Sequence, residues 1–103
     1  MNREAAEKCI ANETEELRKR LADFMGYADW KLRIWHPDLQ IEQAMMIAER
    51  IISEGGEFAL DINQAGSEAV FYNHGFDCKA ETPALAICLA ADSWLKKRQA
   101  ATA

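Results

Sequence analysis

The stretch of residues 80–98 constrains the fold most, because its middle is apolar on nearly every side. Thr82 followed by Pro83 predicts a helix start, since a Thr hydroxyl accepts hydrogen bonds from the first turn and Pro needs no N–H partner there. Three bases close the run, where positive charge suits the negative end of the helix dipole. A helix that is apolar all round is buried on more than one side. The sequence therefore predicts a final helix in a middle position, between a sheet and another helix.

Two further helices are predicted upstream. Residues 2–25 carry an apolar stripe that ends at Gly26, a natural C-terminal stop. The weak helix formers Asn12 and Thr14 leave two alternatives, one continuous helix or a firm second half preceded by a frayed arm over residues 1–12. Residues 38–54 form the next helix, with Asp38 as its expected N-cap and Gly55-Gly56 as its stop. Its stripe consists of Ile41, Ala44, Met45, Ala48, Ile51 and Ile52.

Short strands are predicted from period-two alternation. Residues 30–35 alternate, which places Ile34 on the apolar side and Trp35 on the polar side. Residues 57–63 and 68–72 flank a four-residue turn, so we expect them to pair as an antiparallel hairpin. Residues 76–81 are a candidate for one more strand before the final helix.

These elements predict one α+β domain over residues 1–103. A small antiparallel sheet of three to four strands layered with helices, an α/β/α-type sandwich, is the economical arrangement for so few strands. The length suits a single core. Residues 99–103 are expected to be a disordered tail.

Charge narrows the possible partners. The net charge is −5, and residues 26–95 hold eleven acids against four bases. Such an acidic body disfavours direct nucleic-acid binding, which needs a basic surface along the phosphates. No apolar run approaches the roughly 20 residues that span a bilayer, and the first residues lack a signal sequence. We therefore expect a cytoplasmic protein with no membrane contact.

No motif in the sequence predicts a reaction. The three cysteines lack CxxC spacing, and His36 and His74 stand at no recognised ligand spacing, so neither a metal site nor a cofactor is expected. No nucleophile elbow and no Gly-rich phosphate loop is present. The chain is therefore not expected to be an enzyme.

The candidate binding residues are those without an evident core role. Trp35, His36, Tyr72, Asn73 and His74 are the predicted partner-binding positions, because exposed Trp and Tyr are typical hot spots of protein interfaces. The alternative is that another layer, such as the N-terminal helix, covers the aromatic rings.

Several strings of the sequence resemble one known family. Residues 80–91, AETPALAICLAA, resemble the C-terminal signature of the phage ABA sandwich domain family. Residues 21–27, LADFMGY, are similar to its N-terminal helix with a Met-Gly-aromatic ending, and His36-Pro37-Asp38 resembles the start of its second helix. The likeness covers residues 17–95, although the N-terminal helix is longer here and the gap before His36 is shorter. The resemblance implies an α/β sandwich of phage or prophage origin and no shared reaction.

Two functional hypotheses follow. The first is a small acidic phage accessory protein in the host bacterial cytoplasm, which binds a host or phage protein or forms a homo-oligomer. Inhibition of a bacterial defence system such as CRISPR–Cas is one specific form of it. The second is a module that binds or sequesters a nucleotide-type ligand, with Trp35, Tyr72 and either Arg33 or Arg50 as stacking and phosphate partners.

Overall fold

The computed structural model describes residues 3–31, 34–71 and 76–102, with side chains for residues 14–31, 34–71 and 78–98. This part of the chain contains helices and an antiparallel sheet, which confirms the predicted α+β class. The elements are α1 (Arg3–Met25), α2 (Ile41–Ser53), β1 (Phe58–Asn63), β2 (Gly66–Phe71), β3 (Phe76–Ala80) and α3 (Pro83–Thr102). No helix in these ranges is long and apolar enough to cross a membrane.

The sheet is a meander in the order β1-β2-β3, with Leu60 opposite Ala69 and Ala69 opposite Cys78. The predicted hairpin is confirmed, but its turn is two residues shorter than expected because β2 already begins at Gly66. Gly66 has a φ of 135°, and a Cβ there would lie 2.8 Å from the carbonyl oxygen of Ala80. Glycine is therefore required where the hairpin turn passes close to β3.

The middle position predicted for α3 is confirmed. One side of α3 packs on β2 and β3, and the other side packs on α2 and α1. Ile87 and Phe71 are among the fully buried side chains of this core. The layers are therefore ordered sheet, α3, then α1 with α2. Each of the two outer helices has a single apolar stripe, so only α3 can be covered from both sides.

Both predicted helix boundaries with strong capping signals are confirmed. The Leu85 N–H donates to Thr82 Oγ1 at 3.3 Å, and α3 begins at Pro83. At the end of α1, Gly26 has a φ of 79° and the Tyr27 N–H donates to the Ala22 carbonyl at 2.9 Å. This is the 6→1 hydrogen bond that closes many helices.

Two predictions at element ends differ from the structure, and both concern helices after α1. The helix α1 itself runs unbroken from Arg3 to Met25. The helix α3 extends into residues 99–102, where a disordered tail was expected, because Gln99 and Ala100 favour helix. The helix α2 begins at Ile41 rather than near Asp38, since the Asp38 carboxylate binds α1 instead of capping α2.

The predicted strand at residues 30–35 is wrong in its described part. Residues 27–31 form turns, and residues 34–36 have no regular structure. The backbone groups that a neighbouring strand would bind are taken by a side chain. The Gln43 amide binds the carbonyl of Ile34 and the N–H of His36.

Candidate functional site

Residues 34–41, the segment that leads into α2, are held against α1 by a buried tryptophan. Trp35 is 4% exposed and its ring lies edge-on to Tyr27, with 5.0 Å between ring centroids. Its Nε1 donates to the Arg18 carbonyl at 3.0 Å. The predicted exposure of Trp35 is therefore wrong, and the alternative, coverage by the N-terminal helix, is confirmed. The indole is the largest apolar group of the segment, so its burial stabilises the fold more than the burial of Ile34 that the period-two alternation predicted.

A buried ion pair holds the same segment three residues later. The Arg18 guanidinium donates to Asp38 in a two-pronged arrangement, with Nε to Oδ1 at 2.7 Å and Nη2 to Oδ2 at 3.0 Å. The carboxylate of Asp38 is buried. The hydrogen bond with Asp38 raises the pKa of the Arg18 guanidinium above its ordinary value. Arg18 thus binds this segment twice, through its carbonyl to Trp35 and through its side chain to Asp38.

His36 lies between the two anchors and is half-buried. Its N–H donates to Gln43 Oε1 at 2.7 Å, and its carbonyl accepts from Leu39 and Gln40 at 2.9 and 2.8 Å. Its Nδ1 is buried and has no hydrogen-bond partner among the described residues. The backbone of His36 therefore organises the turn before α2.

The side chains that the segment exposes are aliphatic. Ile34 is 77% exposed, Leu39 is 70% exposed and Ile41 is 41% exposed. We call these three residues the apolar patch. All three are exposed within eight consecutive residues, and exposed apolar side chains that gather in one patch mark interaction sites more often than scattered ones do.

The predicted partner-binding residues therefore divide into two groups. Trp35 and His36 lie in the segment of the apolar patch, but they support it rather than form its surface. Tyr72, Asn73 and His74 lie outside the described residues. Sequence reasoning missed Leu39, although its position outside the α2 stripe was a usable signal.

A concave surface, the three-helix groove, lies apart from this segment, where α1, the C-terminal end of α2 and the last turns of α3 meet. It encloses about 450 Å³. Its charged lining includes Arg20 and Asp23 from α1, Arg50 and Glu54 from the end of α2, and Asp92, Lys96 and Arg98 from α3. Of the residues of the predicted nucleotide site, Arg50 lines this groove and Trp35 is buried. Arg33 and Tyr72 are outside the described residues.

Asp92 is the most buried acid of the groove. Arg20 donates to it through Nε at 2.8 Å and Nη2 at 3.1 Å, and Lys96 Nζ lies 3.1 Å from Oδ2. Burial opposes ionisation of this carboxylate, but the hydrogen bonds from Arg20 and Lys96 outweigh burial and lower the pKa of Asp92. The carboxylate therefore stays ionised and positions both cations.

The lowered pKa of Asp92 predicts an acid-dependent loss of stability. A depressed folded-state pKa contributes stability above the ordinary pKa of aspartate, and that contribution is lost as the pH falls through the folded value. Asp92→Asn should therefore lower the free energy of unfolding by about 1 kcal/mol at pH 7. The difference in unfolding free energy between the two proteins should begin to narrow as the pH falls below about 4, the ordinary pKa of aspartate. Urea unfolding at pH 7 and pH 3 measures both gaps, and an equal gap at the two pH values would contradict the assignment.

The described cysteines give no sign of reactivity. Cys78 and Cys88 are free thiols, and burial raises the pKa of Cys88, which keeps that thiol protonated. Cys78 Sγ lies 3.7 Å from Ser93 Oγ. Within the described ranges, no group of three His, Cys, Asp or Glu side chains is placed to hold a metal ion.

The comparisons with known proteins give one match, which is to a family model. The family model of the phage ABA sandwich domain matches residues 6–91, most of the chain. No curated protein and no solved structure matches the sequence of this protein. The matched range includes the anchors of residues 34–41 and the start of α3. The chain belongs to the phage ABA sandwich domain family.

Proposed function

We propose that this protein works without catalysis, by binding a host or phage protein through the apolar patch. The observation that carries the proposal is the exposure of Ile34, Leu39 and Ile41 on a segment whose backbone is fixed. Exposed branched side chains leave apolar area in contact with water, and burial of that area yields about 25 cal/mol per Å². A partner that covers the patch recovers this free energy.

The anchors of the segment favour binding because they order it beforehand. Trp35 is fixed by its hydrogen bond to Arg18, and Asp38 by its ion pair with the same residue. The Gln43 amide holds the backbone between these two anchors. A loop that is already ordered loses less conformational entropy on association, so more of the contact energy appears as affinity.

The charge of the chain argues against a second copy as the partner. Each copy carries a net charge of −5, so two copies repel each other. We therefore propose a different protein, with an apolar centre that meets the patch and a basic rim that meets the acidic body. The chain itself should be monomeric.

Affinity capture with matched variants tests this proposal. The bait is the full chain, exposed to a lysate of a bacterial host that carries the corresponding phage or prophage. Ile34→Ser/Leu39→Ser should reduce recovery of the partner about tenfold or more, because each exposed aliphatic contributes roughly 1 kcal/mol or more when buried. The control is Ile62→Ser, since Ile62 is 62% exposed but lies at the end of β1.

The outcomes of this experiment are distinct. A partner that is retained by wild type and Ile62→Ser, lost by the patch variant and released by raised salt supports the proposal. A partner that the patch variant retains equally well, or a stable dimer in light scattering, contradicts it. Inhibition of a bacterial defence system such as CRISPR–Cas is one specific form of this function, supported by membership of a phage family. In that form, the captured partner is a component of the defence system.

A further inference from the structure

We propose that the three-helix groove binds a small phosphate-bearing molecule of mononucleotide size. This site is separate from the apolar patch and goes beyond the proposed function. Its volume of about 450 Å³ lies within the range of small-molecule sites, which runs from about 300 to 1,000 Å³. Phe24 and Leu95 provide apolar lining beside the charged residues. The groove thus offers both a charged and an apolar part.

The charges of the groove are arranged as two carboxylates that each hold two cations. Asp92 binds Arg20 and Lys96. Glu54 lies 2.9 Å from Arg98 Nη1 and 3.8 Å from Arg50 Nε. Among the residues that line the groove, each cluster therefore carries one positive charge in excess; outside the lining, Glu16 Oε2 also lies 3.9 Å from Arg20 Nη1. Asp23 offsets one of these charges, so the lining is net positive on a chain whose net charge is −5.

Two of the guanidinium groups also make cation–π contacts with aromatic rings. The Arg50 guanidinium carbon lies 5.7 Å from the centre of the Phe24 ring, and that of Arg98 lies 5.2 Å from the centre of the Trp94 ring. The two rings contact each other edge to face, with 6.0 Å between centroids. A cation–π contact restrains a guanidinium and leaves less side-chain entropy to lose when an anion binds. The cations are therefore ordered before a ligand arrives.

This arrangement selects a compact dianion. A guanidinium fork matches the oxygens of a phosphate, and hydrogen bonds between such charged groups are stronger than neutral ones. A long polyanion is disfavoured, because residues 26–95 hold eleven acids against four bases and repel any phosphate outside the groove. A single phosphate ester on a small organic body fits both conditions.

Calorimetric titration of the full chain with AMP, adenosine and inorganic phosphate tests the proposal at constant ionic strength. AMP should bind, inorganic phosphate should displace it, and adenosine should not bind. Arg50→Gln/Arg98→Gln should weaken AMP binding about tenfold or more, because charge-assisted hydrogen bonds are lost. The control Lys19→Gln/Lys79→Gln removes the same charge from exposed positions and should leave AMP affinity unchanged.

A second variant protects the test against loss of folding. Lys96→Gln changes a side chain that is largely exposed, so it should fold as wild type does and still bind AMP several-fold more weakly. Circular dichroism verifies the helix content of each variant. No AMP binding at millimolar concentration, equal binding of AMP and adenosine, or full affinity in the folded Lys96→Gln and Arg50→Gln/Arg98→Gln proteins would overturn the proposal. None of these results depends on whether the apolar patch binds a protein.

Discussion

Ile87→Ala is expected to lower the free energy of unfolding by about 3 kcal/mol, within the 2–5 kcal/mol typical of buried Ile-to-Ala changes. Ile87 is fully buried on α3, which packs on the sheet as well as on the other two helices. The smaller side chain leaves a cavity. Neighbouring layers would both have to shift to fill it, so it is expected to stay largely open. A domain of this size has only about 5–15 kcal/mol of stability, so the change removes a large fraction of it. Urea unfolding followed by circular dichroism measures the loss.

Ile62→Ala is the matched control for this prediction. Ile62 is 62% exposed at the end of β1, so the same chemical change should cost no more than about 0.5 kcal/mol. Equal losses in the two variants would show that α3 does not form the centre of the core.

The sequence predicted best those features that depend on neighbouring residues. The start of α3 follows from Thr82 and Pro83, whose capping geometry needs no distant partner. The end of α1 follows from Gly26, which accepts a positive φ. The apolar residues on nearly every face of α3 predicted its position in the central layer, because a helix without a polar face must be covered by other elements on more than one side.

The candidate site was less predictable because distant residues decide it. Alternation over residues 30–35 predicted an inward Ile34 and an outward Trp35, and the structure has the reverse. The side that faces inward is set by α1, where the Arg18 carbonyl accepts the indole hydrogen bond from 17 residues away. The three-helix groove depends on Arg20 and Asp92, which are 72 residues apart. Periodicity carries no information about such pairs.

Arg18→Leu is expected to be as damaging as a core cavity, although it replaces a charge with an apolar group. The change leaves the Asp38 carboxylate buried without its cation, and loss of one partner of a buried ion pair costs about 3–5 kcal/mol. Arg18 is partly exposed, so we expect the lower end of that range. Urea unfolding at pH 7 measures the loss.

The double variant Arg18→Leu/Asp38→Leu separates the charge effect from packing. If the cost of Arg18→Leu comes from the stranded carboxylate, removal of Asp38 as well should recover about 1 kcal/mol or more, since well-packed apolar pairs often replace buried ion pairs without loss. A double variant less stable than the single variant would contradict this account.

The Trp35 hydrogen bond uses the Arg18 backbone carbonyl, which both variants retain. The double variant therefore keeps the first anchor of the apolar patch and loses only the second. Its remaining affinity for a captured partner would measure how much of the binding depends on the order that Asp38 imposes on this segment.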